Sequence, residues 1–350
     1  MVNNHDMTDF PAFSFGHPNR HYSSLQMSAK CEGDAKLSQN VAKVLQDYDP
    51  EMADKVRRTL KQWNNVIRDH LRNEMGLRLT VGDEAQAVPL RVVDGMPASF
   101  GDLMSSLDPT VWGFLLRMRV LESAVEGLRF TEKDYPALFI PPDSLPPALP
   151  KEVSTARWFV EDLVGWLKKQ EVQARIKGIH QDILRAYFFR VPAISVYWMV
   201  IGIMSGVLGV SVEALTIVVA THELAHAYSH LGRDIDGGRW ETEAFARADL
   251  NIAEGIAQFY TEMICRKLQE RFPAAENAYR ALLDYQSGPY RVHECWADPD
   301  LKVENRKHAD RAGEVVRSCL IESRKTSITA YPVFASSLLA SHTRFAHGVR

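Results

Sequence analysis

Apolar residues recur at helical spacing through most of the chain. The segment between Asp49 and Gly76 has them every three or four residues, which is the pattern of a helix with one buried face. A similar stripe follows Asp108-Pro109, and a third helix is predicted over residues 151–177. The positions expected to face the core are Met52, Val56, Leu60, Trp63, Ile67 and Leu71, then Val111, Leu115, Met118 and Val125, then Trp158, Leu163 and Trp166.

Short alternating runs predict a small amount of strand beside these helices. Residues 77–81 and 88–93 have strand-like composition and are predicted to form a β-hairpin, and residues 183–190 form a further candidate strand. The predicted fold class is therefore α+β, mainly helical, with a short sheet.

Residues 191–212 contain no charged side chain and are long enough to cross a bilayer. However, Gly209 followed by Ser211 and Glu213 is typical of one helix ending and another beginning. We therefore expect a buried helix over residues 196–208 and a second helix over residues 212–231. A membrane-embedded segment remains the alternative.

The second of these helices carries the sequence His222-Glu223-Leu224-Ala225-His226. Residues four apart project from the same face of a helix, so both imidazoles can bind one tetrahedral ion. Glu223 lies one position round the helix, where its carboxylate can accept a proton from a water activated by the metal. This pattern predicts a catalytic zinc site with Glu223 as the general base.

Over about residues 210–260 the chain resembles the zincin metallopeptidases, specifically the gluzincins. In that group a glutamate on a following helix completes a His₂Glu zinc site, which implies Glu254 as the third ligand here. The chain departs from the group in two respects. The gap from His226 to Glu254 is longer than usual, and Gln258 stands where many members have an acidic residue that supports a ligand.

Other residues compete with Glu254 as third ligand. His230 extends the four-residue spacing, but three successive turns of a straight helix cannot converge on one ion. His230 is therefore expected at the surface or in a position that supports a ligand. The glycine-rich loop at residues 232–239 does not match a calcium loop and is predicted to be a turn. The alternatives to Glu254 that remain open are Glu241, Glu243, Asp234 and Asp236.

Hydrolysis through a tetrahedral intermediate also requires a hydrogen-bond donor for the developing oxyanion. The turn at residues 287–289 is followed by two candidate donors, Tyr290 and His293. We expect one of these two side chains to face the zinc site and to assist the oxyanion. Both are therefore candidate catalytic residues.

Charge and cysteine content bear on the partners and the location of the protein. The formal charge of −3 has both signs interspersed, which predicts no nucleic-acid surface. Four cysteines without a paired C-x-x-C spacing, and an N-terminus without a basic and apolar export signal, predict a cytoplasmic protein.

Six of the 17 prolines fall between residues 136 and 150, which predicts a linker. The resulting organisation has five parts. They are a poorly ordered extension at 1–35, a helical accessory domain with the hairpin at 36–135, the linker at 136–150, a zincin-like metallopeptidase domain at 151–325 and a tail at 326–350.

The predicted function is zinc-dependent hydrolysis of peptide bonds in a peptide or protein substrate. The ligands are His222, His226 and Glu254. Two alternatives remain open at this stage. One is a non-catalytic, zinc-containing binding module that recognises a protein partner through the N-terminal domain, and the other is an intramembrane metalloprotease.

Overall fold

The computed structural model describes residues 24–79, 88–133, 149–178, 185–188, 192–234, 237–286, 288–296, 316–317, 320–321 and 323–324. The tail predicted at 326–350, most of the predicted linker and most of the predicted N-terminal extension lie outside these residues. Helix α1 begins at Ser24, so helical structure begins earlier than the sequence predicted.

The described chain is mainly helical, as predicted. In chain order its α-helices are α1 (Ser24–Tyr48), α2 (Met52–Met75), α3 (Ala98–Ser105), α4 (Pro109–Leu115), α5 (Met118–Lys133), α6 (Leu149–Lys169), α7 (Val172–Gly178), α8 (Trp198–Leu208), α9 (Val212–Leu231), α10 (Thr242–Ala246), α11 (Leu250–Lys267), α12 (Ala274–Leu283) and α13 (Val292–Trp296). A 3₁₀ helix, Gly288–Arg291, directly precedes α13.

Three strands form one mixed sheet in the order β1 (Leu90–Val93), β3 (Ala193–Tyr197), β2 (Arg185–Phe188). The central strand β3 is parallel to β1 and antiparallel to β2. The predicted strand at residues 183–190 is confirmed as β2. The turn of the predicted hairpin and part of its first strand lie outside the described residues. Strand β1 pairs with β3, and Arg78 forms an isolated bridge with Arg233.

Helix α9 is positioned by caps that the sequence indicated. The Ser211 side chain accepts a hydrogen bond from the Ala214 amide at its N-terminus, and Gly209 adopts a left-handed conformation at the end of α8. The two predicted helices at 196–208 and 212–231 are thus confirmed within two residues. Helices α2 and α11 pack against α9, and nearly all of its side chains are buried.

One hydrophobic cluster extends from Val41 in α1 to Leu320, and includes residues of both α2 and α9. The strand pairing of β1 with β3 also joins segments from both sides of the predicted linker. The predicted accessory region and the predicted metallopeptidase region therefore share a core within the described residues.

Helix α8 makes close contacts through its two glycines. A Cβ at Gly202 would lie 2.2 Å from Met52 Sδ, and one at Gly206 would lie 2.5 Å from Leu116 Cα. Among the described residues, no helix by itself has the length and apolar composition of a membrane span. Helices α8 and α9 meet that criterion only as a pair, with a bend of 118° between them.

The predicted core face of α6 is partly wrong. Trp158 is 65% exposed and Trp166 is 38% exposed, whereas Val164 and Leu167 are buried. The apolar residues of α6 are spread around the helix, so spacing alone did not identify the side that packs. The other predicted stripes, on α2 and across α4 and α5, are confirmed as buried.

Candidate metal centre

The middle of α9 places three side chains with ligand chemistry inside the protein. His222, Glu223 and His226 are 1%, 1% and 6% exposed, respectively. Their burial follows from the packing of α9 between α2 and α11, which leaves little of the helix in contact with solvent. Burying imidazole and carboxylate groups costs free energy, because they lose their contacts with water, unless hydrogen bonds or a bound cation replace those contacts.

Helix α11 brings Glu254 to the two histidines. The Asp249 side chain caps this helix by accepting a hydrogen bond from the Asn251 amide, and Glu254 lies in the second turn, 5% exposed. Its Oε2 is 3.1 Å from His222 Nε2 and 3.4 Å from His226 Nε2. The two imidazole nitrogens are 2.9 Å apart. Three potential ligand atoms thus form a triangle with sides of about 3 Å.

Glu223 lies close to the same pair of histidines. One ligand atom from each of His222, Glu223 and His226 can be chosen so that all lie within 4.8 Å of one another. Imidazole nitrogens and carboxylate oxygens at this spacing are the donor set of transition-metal sites. This buried group could hold a metal ion.

His230 does not join the group. Its Nε2 is hydrogen-bonded to Thr242 Oγ1 at 3.2 Å, and its ring stacks on Phe245 with centroids 4.6 Å apart. Burial, with a smaller effect of Arg239 and Arg324, lowers the pKa of His230 to about 4. The sequence suggested a surface or supporting position, and the structure shows a fully buried one.

The other rival ligands are also elsewhere. Glu241 and Glu243 are exposed, and the Glu241 carboxylate lies 3.8 Å from Arg239. The Asp234 side chain accepts a hydrogen bond from the Gly238 amide, so the described parts of the predicted turn contact each other. Asp236 lies outside the described residues. Among the acidic candidates in the described chain, Glu254 has a carboxylate oxygen 3.1 Å from His222 Nε2.

Of the two predicted oxyanion donors, the structure brings Tyr290 to the histidines. It belongs to the 3₁₀ helix and is half-buried, and its ring centroid lies 6.4 Å from that of His222. The planes of the two rings are inclined by 40°. A phenol group is therefore available beside the candidate metal centre.

His293 occupies a different environment. Its Nε2 is 2.7 Å from the Tyr279 hydroxyl and 3.5 Å from Glu262 Oε2. Glu262 follows Glu254 by eight residues on α11, so it lies about 12 Å further along that helix. The structure therefore does not bring His293 together with His222 and His226. The hydrogen bond with His293 lowers the pKa of Glu262, and burial of the carboxyl opposes part of that shift.

Two polar contacts near the centre had no counterpart in the sequence analysis. The Gln258 side chain donates a hydrogen bond to Gln286 Oε1 at 2.8 Å, and Glu262 faces His293. The signal that could have found them is the spacing of Glu254, Gln258 and Glu262, which places three polar side chains on one face of a helix that is largely buried.

The described residues therefore provide a buried group that could hold a metal ion, a carboxylate beside it and a tyrosine ring 6.4 Å from that of one histidine. Comparison with protein-family models, with curated proteins and with solved structures found no match.

Proposed function

We propose that the protein is a zinc-dependent metallopeptidase of the zincin type. The observation that carries this proposal is the approach of Glu254 Oε2 to within 3.1 and 3.4 Å of the two histidine nitrogens. Glu254 is 28 residues from His226 in the sequence and belongs to another helix. The His-Glu-x-x-His sequence is therefore accompanied by a third potential ligand in the folded chain.

The dimensions of the triangle fit a tetrahedral zinc ion. Zinc binds imidazole nitrogen and carboxylate oxygen at about 2.0–2.2 Å, so its tetrahedral ligand atoms lie about 3.3 Å apart. The three observed separations are 2.9, 3.1 and 3.4 Å. A divalent cation held by His222, His226 and Glu254 would also compensate the negative charges of Glu254 and Glu223 in a buried environment.

Each side chain then has a defined role. When bound, zinc lowers the pKa of a water molecule to about 7 and polarises the substrate carbonyl. Glu223 accepts the proton that the attacking water loses, and it later donates that proton to the nitrogen of the leaving amine. Water is consumed, the peptide C–N bond breaks, and a carboxylate and an amine are released.

Tyr290 is the donor that we assign to the oxyanion. Negative charge develops on the carbonyl oxygen during attack, and a hydroxyl aimed at that oxygen stabilises the transition state more than the substrate. The position of the Tyr290 ring beside His222 supports this assignment. His293 is not assigned this role, because its Nε2 is bound to Tyr279.

Strand β2 is the candidate binding edge for an extended substrate. Within the described residues it is an outer strand of the sheet, it contacts α9, and it pairs with β3. An edge strand offers backbone hydrogen-bonding groups to an added strand, which recognises a peptide backbone with little dependence on sequence. This supports a peptide or protein as the substrate.

The decisive experiment compares Glu223→Gln with wild type in the zinc-loaded protein. The variant should retain about one zinc per chain, because it removes no ligand, yet it should lose several orders of magnitude of peptide hydrolysis. Glu213→Gln is the matched control. It makes the same change in the first turn of the same helix and should preserve activity.

Other outcomes point to other functions. Full activity in Glu223→Gln would overturn the proposed mechanism. Stoichiometric zinc without cleavage of any member of a broad peptide library would favour the non-catalytic binding module. Peptidase activity confined to the membrane fraction would favour the intramembrane alternative.

A further inference from the structure

The segment that carries Tyr290 is attached to α11 by polar contacts on both sides of the tyrosine. Before it, the Gln286 side chain accepts a hydrogen bond from Gln258. After it, the ring of His293 contacts Glu262 and is hydrogen-bonded to Tyr279. Both attachment points on α11 lie on the face that also carries Glu254.

The spacing along α11 makes this arrangement specific. Gln258 lies one turn after Glu254, and Glu262 lies two turns after it. The two residues are therefore about 6 and 12 Å from Glu254 along the helix axis. A single helix therefore carries the proposed ligand and also contacts Gln286 and His293, the residues on either side of Tyr290 in the segment. A shift of that segment relative to α11 would move Tyr290 relative to the metal centre.

The contact at His293 is suited to holding a backbone in place. His293 is fully buried, and Tyr279 belongs to α12, so its ring joins the end of the segment to two helices at once. Arg291 adds backbone contacts, because its guanidinium donates hydrogen bonds to the carbonyl oxygens of Leu283 and Gln286. These two bonds connect the 3₁₀ helix to Gln286 and to the end of α12.

We propose that Gln258 and His293 are positioning residues, which hold Tyr290 over the metal centre through the Gln258–Gln286 and Glu262–His293–Tyr279 contacts. This inference rests on the proposed function. It assigns His293 an indirect role, because its side chain acts on the position of Tyr290 and not on the substrate. Displacement of a catalytic group by about 1 Å can cost about 100-fold in rate.

The test measures the position of Tyr290 directly. A 3-fluorotyrosine is incorporated at position 290 in the full chain, and cobalt(II) replaces zinc. Paramagnetic relaxation of the ¹⁹F signal falls with the inverse sixth power of the distance to cobalt, so it reports on that distance without any requirement for activity. The variants are Gln258→Ala, His293→Gln and the minimal change Tyr279→Phe.

We expect strong cobalt-dependent relaxation in wild type and a clear decrease in all three variants, with cobalt content unchanged. In the zinc-loaded forms without the fluorine label, kcat should fall about 10-fold to 100-fold with KM nearly unchanged, since substrate binding does not use these groups. Arg266→Gln is the control. It removes an exposed partner of Glu262 and should leave both quantities as in wild type.

The outcomes separate the two proposals. Unchanged relaxation in the cobalt-loaded Gln258→Ala and Tyr279→Phe variants would overturn the positioning role and leave the proposed function intact. Wild type that binds no cobalt would overturn both. Should His293→Gln fail to fold, Tyr279→Phe tests the same contact, since it removes one oxygen atom only.

Discussion

Helix α9 carries three histidines at four-residue spacing, and the structure gives them two different chemical environments. His222 and His226 approach each other and Glu254, whereas His230, one turn further on, is hydrogen-bonded to Thr242 and stacked on Phe245. All three are buried on the same helix. The residue type and its spacing are the same, so the difference comes from the segment that packs against each turn.

The partners decide what each histidine can do. A carboxylate beside two imidazole nitrogens provides several lone pairs converging on one point, which favours a cation. A threonine hydroxyl and a phenyl ring satisfy one neutral imidazole and provide no charge for a metal. The low pKa of His230, about 4, is consistent with this neutral state. One helix therefore combines a candidate metal centre with an adjoining packed histidine.

The largest expected effect is on metal binding. His222→Ala and His226→Ala should each reduce zinc from about one equivalent to a trace, and Glu254→Ala should weaken affinity by orders of magnitude, because each removes a ligand. His230→Asn should retain the full equivalent. Zinc content by mass spectrometry, with affinity from competition against a chromophoric chelator, distinguishes these. Loss of zinc in His230→Asn would erase the distinction between the two environments.

The aromatic neighbours of the histidines also differ, since Tyr290 carries a hydroxyl and Phe245 does not. Tyr290→Phe should lower kcat by about 100-fold to 1000-fold with little change in KM, because the lost hydrogen bond forms only in the transition state. Steady-state kinetics on one peptide substrate measure the effect. Tyr48→Phe, the same change on an exposed side chain of α1, should have no effect. A rise in KM alone would assign Tyr290 to substrate binding.

Local signals in the sequence were sufficient for the helices around the centre. Caps such as Ser211 and Gly209 act within a few residues, and the spacing of His222 and His226 places both on one face regardless of the rest of the fold. Glu254 came from a resemblance, and the structure places it beside the histidines. The zincin identity itself stays a prediction.

Features that depend on distant contacts could not be predicted in the same way. The pairing of β1 with β3 joins segments about 100 residues apart, and nothing local to β1 identifies that partner. The choice between Tyr290 and His293 depends on how residues 288–293 pack against α11. Both residues are suitable donors by chemistry, and only the fold shows that His293 is bound to Tyr279.

The next effect is a pH dependence of stability that originates at His230. In the unfolded chain its pKa is about 6.5, and in the folded protein about 4, so the unfolded state binds the proton first as pH falls. Its contribution to stability is therefore full above pH 6.5 and is lost as pH decreases, by about 2 kcal/mol at pH 5. Below about pH 4 the loss levels off.

Denaturant unfolding of wild type and His230→Asn at several pH values measures this contribution. The free energy of unfolding of wild type, relative to that of His230→Asn, should decrease by about 2 kcal/mol from pH 7 to pH 5, because asparagine does not titrate. Both proteins are measured without metal, so that protonation of His222 and His226 cancels in the comparison. A constant difference would show that His230 is protonated normally, against its assignment as a neutral, packed histidine.

The smallest effect concerns the hydroxyl that bonds His230. Thr242→Val keeps the size of the side chain but removes its hydrogen bond, which should lower the free energy of unfolding by about 1 kcal/mol. Thr131→Val is the control. Its hydroxyl bonds a carbonyl of its own helix on an exposed surface, and the change should stay within about 0.5 kcal/mol.

Zinc affinity and kcat of Thr242→Val should equal those of wild type, since the bond that it removes belongs to the packed histidine alone. The same denaturation and chelator assays apply. A decrease in zinc affinity with this change would show that the third turn of α9 supports the metal centre. His230 would then be coupled to His226 through the helix, and the two environments would act as one unit.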